Sequence, residues 1–306
     1  MNLRTIVRSA AVVAAIGGLA AITGCATADP FDSAQDPGTE TIVIGSQDYY
    51  SNEIVAEIYA QALESAGYDV ERDFRIGQRE AYLPEIEAGG IDLFPEYSGP
   101  LLQVWEPDTE ARSAEDVYAE LVKAVPDGLR VLEQSDASDQ DSYVITRKFA
   151  EEYGVTSIAD LADVPVPLTL GGNSEGESRP NGPAGLLKTY GVQVGFTPIE
   201  DGGGPLTVKA LIDNQVQLAI IYTASPSMAS DDLVALEDPK GMFLASQVVP
   251  LASSRLDDDA AAIINRISAT MTAEDLVALD TESVETQAPA SKIAQNWLKE
   301  NADALD

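Results

Sequence analysis

The runs IDLFPEYSG (residues 91–99) and VQLAIIYTA (residues 216–224) each carry an apolar, strand-like stretch to a tyrosine and then a hydroxyl residue, Tyr97-Ser98 and Tyr222-Thr223. Ile91 to Tyr97 and Val216 to Tyr222 are both six steps, and Leu93 and Leu218 sit at the same offset. Each run follows a short helical pattern that closes on turn formers, Leu83–Ala88 before Gly89-Gly90 and Val208–Asp213 before Asn214. Two similar units facing each other would present two phenol rings. A tyrosine ring offers its negative face to a cation, for about 0.5 kcal/mol when exposed and about 2 when desolvated. Micromolar binding needs about 8 kcal/mol, more than a few rings supply. Burying the methyl groups of a quaternary ammonium adds about 0.8 kcal/mol per carbon. An arginine fork on a carboxylate adds more. Arg179, in the polar loop ESRPNGP, is placed to be that fork. Tyrosines plus Arg179 are therefore adequate for a small methylated zwitterion.

Other chemistries are thin. The chain has no histidine, which removes Ser-His-Asp and Cys-His catalysis and imidazole metal sites. Paired carboxylates could run glycoside hydrolysis, but among 51 acidic residues any one pair carries no information. The run Asp257-Asp258-Asp259 lacks the spacing of a calcium loop and reads as the charged start of a helix. Gly202-Gly203-Gly204-Pro205 lacks the Lys-Ser/Thr of a phosphate loop and reads as a turn near a cleft. No metal and no cofactor is expected.

The formal charge of −33 repels nucleic-acid phosphates and anionic lipid heads and weakly favours cationic ligands. At the N-terminus, Arg4 and Arg8 precede an apolar stretch to Ile22, followed by Thr23-Gly24-Cys25. This reads as a secretory signal, residues 1–24, ending in a bacterial lipobox. Cys25, the only cysteine, is then the lipidated first residue of the mature chain, and no disulfide can form within it. Residues 25–40 read as a tether. The mature protein is expected outside the cytoplasm, held at the membrane by lipid.

Behind the candidate residues lie alternating strands and helices. Thr41–Gly45, Tyr68–Ile76 and Ile91–Phe94 read as strands, with a helix from Ser51 or Asn52 that Gly67 stops. Ser113-x-x-Asp116 opens another helix, and Ser142–Thr146 is a strand. The pattern restarts with strands at Val166–Leu170, Thr197–Glu200 and Gln217–Tyr222, and the C-terminus is helical from Asp258. Alternation of this kind implies parallel sheets, and two series imply two α/β lobes. We place the crossings near Tyr143–Thr146 and Ser246–Pro250, with residues 41–144 plus 247–306 as lobe 1 and 145–246 as lobe 2. Ligands of open α/β sheets bind beyond the carboxyl ends of strands. That rule places Gly45–Tyr49, Tyr97, Gly171–Arg179 and Tyr222 around one cleft.

The segments GSQDYYSNEIVAEIYAQALESAGYDV, YLPEIEAGGIDLFPEYSGPLL, LTLGGNSEGESRPNGPAGLLKTYGV, DGGGPLTVKALIDNQVQLAIIYT and LVALEDPKGMFLASQVVPL resemble the substrate-binding proteins of osmoprotectant ABC transporters. The resemblance covers nearly all of residues 41–300, and PEYSG after the IDL strand is its most specific piece. It implies a two-lobed, periplasmic-binding-protein-like fold of type II, with the ligand cleft between lobes joined by a two-strand hinge. It implies no enzymatic activity, a small quaternary ammonium solute (glycine betaine, choline, carnitine or proline betaine), and an ABC permease with its ATPase as partners. The protein would act as a monomer. Another betaine such as ergothioneine is the alternative solute, and a secreted carboxylate hydrolase a more distant alternative. By motif, the resemblance carries ligand contact to Tyr97, Tyr222, Tyr49, Arg179 and Asp141. Ser46, after the first strand, and Thr223, after Tyr222, complete the expected site. Asn173-Ser174, Gly176 and Ser225 depart from the family pattern on the second lobe's lip and leave the preferred solute open.

Overall fold

The computed structural model of the chain describes residues 41–305, so the expected signal, Cys25 and the tether lie outside the described residues. The first run of elements is β1 (Ile42–Gly45), α1 (Tyr50–Ser65), β2 (Val70–Asp73), α2 (Arg79–Glu87), β3 (Leu93–Tyr97), α3 (Ser98–Trp105), α4 (Ala114–Ala124) and β4 (Leu129–Val131). The second is β5 (Asp141–Thr146), α5 (Arg147–Tyr153), β6 (Leu168–Gly172), α6 (Pro183–Tyr190), β7 (Val194–Pro198), α7 (Pro205–Ile212), β8 (Leu218–Tyr222) and β9 (Leu233–Ala235). The chain returns through β10 (Val248–Ser253) and ends in α8 (Asp258–Thr270), α9 (Ala273–Thr286), α10 (Ala290–Glu300) and α11 (Ala302–Leu305).

The strands form two five-stranded sheets, β2-β1-β3-β10-β4 and β7-β6-β8-β5-β9. In the first, β1 runs parallel to β2 and β3, and β10 lies antiparallel between β3 and β4. In the second, β6 runs parallel to β7 and β8, and β5 lies antiparallel between β8 and β9. The two orders are the same, so β3 and β8 occupy equivalent places. Tyr97 ends β3 opposite Val248, and Tyr222 ends β8 opposite Asp141. The repeat visible in the sequence is a repeat of the fold.

Each sheet is covered on both faces, which is why its central strands read as apolar runs without alternation. Ile54, Ile58 and Leu63 of α1 pack with Ile264 and Trp297 of the C-terminal helices on one face of the first sheet. Tyr82, Ile86, Leu101 and Leu121 cover the other. In the second lobe Phe149 and Leu186 belong to one core, Ala210 and Leu211 to another. Helix starts follow local chemistry. Ser113 Oγ accepts from Asp116 N at 3.2 Å, and Asp257 Oδ1 from Ala260 N at 2.7 Å, as the sequence indicates. Pro95 inside the fully buried β3 needs a reason, since proline cannot donate to a ladder. It stands opposite Pro250. The carbonyl of Pro95 accepts from Asn52 and that of Pro250 from Leu132 N on β10's far side, so the two prolines face away from each other and neither owes the other a hydrogen bond.

Three expectations are corrected. The boundary at residue 144 is too late: β5 pairs with β8 from Asp141 onward, so the chain crosses before it. The apolar run marks a strand, but only its ladder shows which sheet owns it. The outward and return connections lie side by side, with Asp139 N donating to Ser246 O at 3.0 Å and Val248 N to Ala137 O at 2.9 Å. Neither Ser51 nor Asn52 caps α1: both lie inside the helix, and Tyr49 precedes it without a side-chain cap. The second strand is shorter than Tyr68–Ile76, because its one neighbour in the sheet, β1, offers only Ile42–Gly45 to pair with Val70–Asp73.

Candidate functional site

Tyr49, Tyr97 and Tyr222 meet in a cavity of about 340 Å³, mouth included, on the seam between the two sheets. Tyr97 and Tyr222 are the last residues of β3 and β8, and Tyr49 lies in the turn from β1 to α1. All three therefore follow carboxyl ends of parallel strands, the position the sheet rule requires. The ring centroids of Tyr49 and Tyr222 are 5.5 Å apart with planes inclined at 39°, two walls of one recess rather than a flush stack. The Gly202–Gly204 turn closes over them. A Cβ on Gly202, where φ is +61°, would come within 3.3 Å of Tyr49 Cβ, so glycine admits the ring from the opposite lobe.

Asn52 fixes the spacing of two of these segments. It is fully buried, its Oδ1 accepts from Gln47 N and its Nδ2 donates to Pro95 O, both at 2.8 Å. One amide thus ties the turn that carries Tyr49 to the strand that carries Tyr97. Two buried polar atoms in the lining, the Tyr97 hydroxyl and Gln47 Nε2, have no hydrogen-bond partner among the described residues. The Tyr49 and Ser51 hydroxyls lie close enough to influence the Tyr97 phenol without hydrogen-bond geometry toward it. Burial pushes the Tyr49 and Tyr97 phenols well above their ordinary range, so both stay neutral.

The charges have defined partners. Arg79 gives Nε and Nη2 to Glu96 at 2.7 and 2.9 Å, and Tyr82 donates its hydroxyl to the same carboxylate at 2.5 Å. Glu96 Oε2 also accepts from Tyr97 N at 2.8 Å, so the acid of the PEYSG segment holds both the tyrosine backbone and a buried arginine. Arg179 spans the seam. Its Nε and Nη2 meet Glu80 at 3.0 and 2.8 Å, and Nη2 reaches Gln78 at 3.2 Å. In both pairs Nη1 is left outside these bonds. Asp141 Oδ2 accepts from Asn181 Nδ2 at 2.7 Å, and Asp139 Oδ1 accepts from Ala224 N at 2.9 Å. Burial raises the Asp139 carboxyl to about 7, opposed by the Ala224 N–H and reinforced by the charge of Asp141. Asp141 is also raised by burial, with Arg179 and Arg79 pulling the other way.

Of the residues expected from sequence, Tyr49, Tyr97, Asp141, Arg179 and Tyr222 line this cavity. Ser46 and Thr223 do not. Ser46 Oγ is turned to Gln47 O and Arg75 N, a turn-forming role. Thr223 is exposed and its Oγ1 accepts from Gln140 N at 2.9 Å, pinning β8 to the outward connection. Sequence reasoning missed Gln47, Arg79 and Asp139 in the lining and Asn52 behind it. Arg79 carries a faint signal as a base opening a helix, where an acid is the electrostatic norm. Asp139 sits among Asp136 and Asp141 with nothing local to single it out. Among the described residues, no group of three or more His, Cys, Asp or Glu is placed to hold a metal ion, and no helix is long and apolar enough to cross a membrane.

A family model for the substrate-binding domain of ABC-type glycine betaine transport systems matches residues 40–300. The chain belongs to this family. Within it, the chain is similar to the glycine betaine-binding protein YehZ of Escherichia coli K12, 23% identical over 274 residues, covering 85% of this chain and 90% of the relative. It is also similar to a glycine-betaine-binding protein of Pseudomonas aeruginosa, 26% identical over 282 residues, covering 86% and 88%. Among solved structures, a glycine betaine/carnitine/choline ABC transporter protein superposes with a TM-score of 0.67 at 17% identity, over 87% of this chain and all of the other. The two-lobed α/β architecture is thus that of the family, whose members bind solutes rather than transform them.

Proposed function

We propose that the chain is the extracytoplasmic receptor of an ABC importer, and that it takes a small quaternary ammonium carboxylate between its lobes. The supporting observation is the meeting of three phenol rings, drawn from both sheets, in one cavity that also holds paired arginines and buried acids. With Arg79 answered by Glu96 and Arg179 by Glu80, Asp139 and Asp141 are the acids left beside the rings. They and the ring faces favour the ammonium end. The Nη1 atoms of the two arginines suit the carboxylate end. Three desolvated rings and the methyl groups together reach the order of the 8 kcal/mol that micromolar capture requires. The names of the relatives agree with this solute class. The closed solute complex would then pass to a membrane permease, with lipid on Cys25 keeping the receptor at the membrane.

Calorimetry against glycine betaine, choline, carnitine, proline betaine and ergothioneine tests this reading. At least one methylated zwitterion should bind saturably and raise Tm. Tyr97→Ala and Tyr222→Ala should each weaken binding about 2- to 30-fold, the span of one cation–π contact, while Tyr→Phe at either position retains most of it. No heat and no Tm shift with any of the five at millimolar concentration, or unchanged binding in the Tyr97→Ala/Tyr222→Ala double variant, would refute it.

A further inference from the structure

A second cavity, about 1190 Å³ with its mouth, opens on the same seam and shares Arg179 with the cage. Its lining reverses the character of the chain. Arg112, Arg179, Lys188 and Lys240 border it with Asp108 as the one acid, in a chain of 18 basic and 51 acidic residues. Arg179 is answered by Glu80, and Lys188 stands 4.0 Å from Asp108. Arg112 and Lys240 have no carboxylate within ion-pair distance among the described residues. The Nη1 of Arg112 donates to the carbonyls of Thr109 and Ala111 at 2.9 and 2.7 Å. The Nζ of Lys240 donates to Thr189 O at 2.7 Å and lies 4.8 Å from the Tyr190 ring centroid. Two positive charges thus remain uncompensated, the complement of a dianion.

The cations come from opposite lobes. Arg112 lies between α3 and α4 of the first, Lys188 in α6 of the second and Lys240 in the segment returning to β10. Bringing the lobes together crowds like charges unless an anion sits between them. The seam is built to admit the arginine: a Cβ on Gly241, where φ is +62°, would come within 2.8 Å of Arg112 Cδ. The −33 charge of the whole chain does not forbid an anion here. At physiological salt, charges more than about 8 Å away are largely screened, whereas these line the pocket.

We propose that this pocket binds a small dianionic oxyanion, of the phosphate or dicarboxylate kind, which bridges Arg112 to Lys188 and Lys240 and stabilises the closed arrangement of the lobes. The test uses the mature chain without solute, at fixed pH and ionic strength, with chloride replaced stepwise by inorganic phosphate or by succinate. Tm should rise saturably by about 2 °C or more with at least one of them. A response to phosphate alone, or to succinate alone, names the natural class. Arg112→Gln should abolish the response. Lys188→Gln/Lys240→Gln, which alters only surface-reaching side chains, should raise its midpoint about tenfold or more, the loss of a charge-assisted hydrogen bond. Lys209→Gln, away from the pocket, should leave it unchanged. A rise that stays linear in anion concentration, as general salt exclusion gives, or one that is equal in all variants, overturns the proposal. The readout needs no solute in the cage, so failure here leaves the reading of the cage untouched.

Discussion

Tyr97 is 5% exposed and its hydroxyl has no partner among the described residues, whereas its backbone N–H is held by Glu96. That contrast, a fixed backbone and an unanswered polar tip, supports the proposal that Tyr97 meets the solute. Glu96 itself is structural. Glu96→Gln leaves Arg79 buried without a counter-charge, and chemical denaturation should show a loss of about 3–5 kcal/mol. Asp139 gives the site a pH dependence. Its carboxyl, buried and raised to about 7, is half neutral near neutrality, and the ammonium of the proposed solute beside it would favour the ionised form. Affinity for a cationic solute should therefore fall as pH drops below about 7, and Asp139→Asn should bind more weakly with that slope removed. The sign for stability is opposite. Because the folded protein holds the proton more tightly than the unfolded chain, Asp139 makes the unliganded protein less stable as pH rises from about 4 to about 7. Tm measured at pH 5 and pH 7.5, with and without solute, separates the two effects.

At the scale of elements, the tyrosines are set by strand ends and by two connectors. Asn52 links the β1–α1 turn to β3, and its removal would orphan Gln47 N and Pro95 O in a buried interior. Asn52→Ala should cost roughly 2 kcal/mol or more and weaken solute binding, although its side chain does not line the cavity. The glycine turn after β7 is the second connector. Gly203 has φ of +77°, and a Cβ there would stand 2.9 Å from Ile220 O, a backbone atom of the strand carrying Tyr222. Gly203→Ala should destabilise by about 1–3 kcal/mol and loosen the lid over Tyr49. Thermal unfolding and calorimetry on the same samples check both variants.

At the scale of the molecule, the two lobes are joined covalently by paired connections and across the seam by Arg179–Glu80. With Glu80's side chain 52% exposed, the pair contributes at most about 1 kcal/mol, too little to lock the proposed hinge shut. Glu80→Gln should therefore increase the radius of gyration of the unliganded protein in small-angle scattering, and saturating solute should restore the compact value. An unchanged radius would mean that the seam is held by its packing alone.

Much was legible before folding. The matched runs ending in Tyr97 and Tyr222 announced a duplicated α/β unit, because strand burial imposes the same apolar spacing on both copies. The sheet rule then placed their ends at a cleft. Missing histidine narrowed the chemistry, and the helix starts at Ser113 and Asp257 followed from side-chain capping. What the sequence could not assign was partnership across long separations. The apolar run from Tyr143 does not say that β5 belongs to the second sheet, which only its ladder with β8 decides. Ser46 and Thr223 sit beside cavity-lining residues in the chain, yet a strand end turns neighbouring side chains in different directions, and theirs leave the cavity. Arg79 and Asp139 look like any other charges in a chain rich in them. Burial beside rings brought from 18 to 143 residues away in sequence made them part of the candidate site, because the free energy of a charge depends on its surroundings in space and not on its neighbours along the backbone.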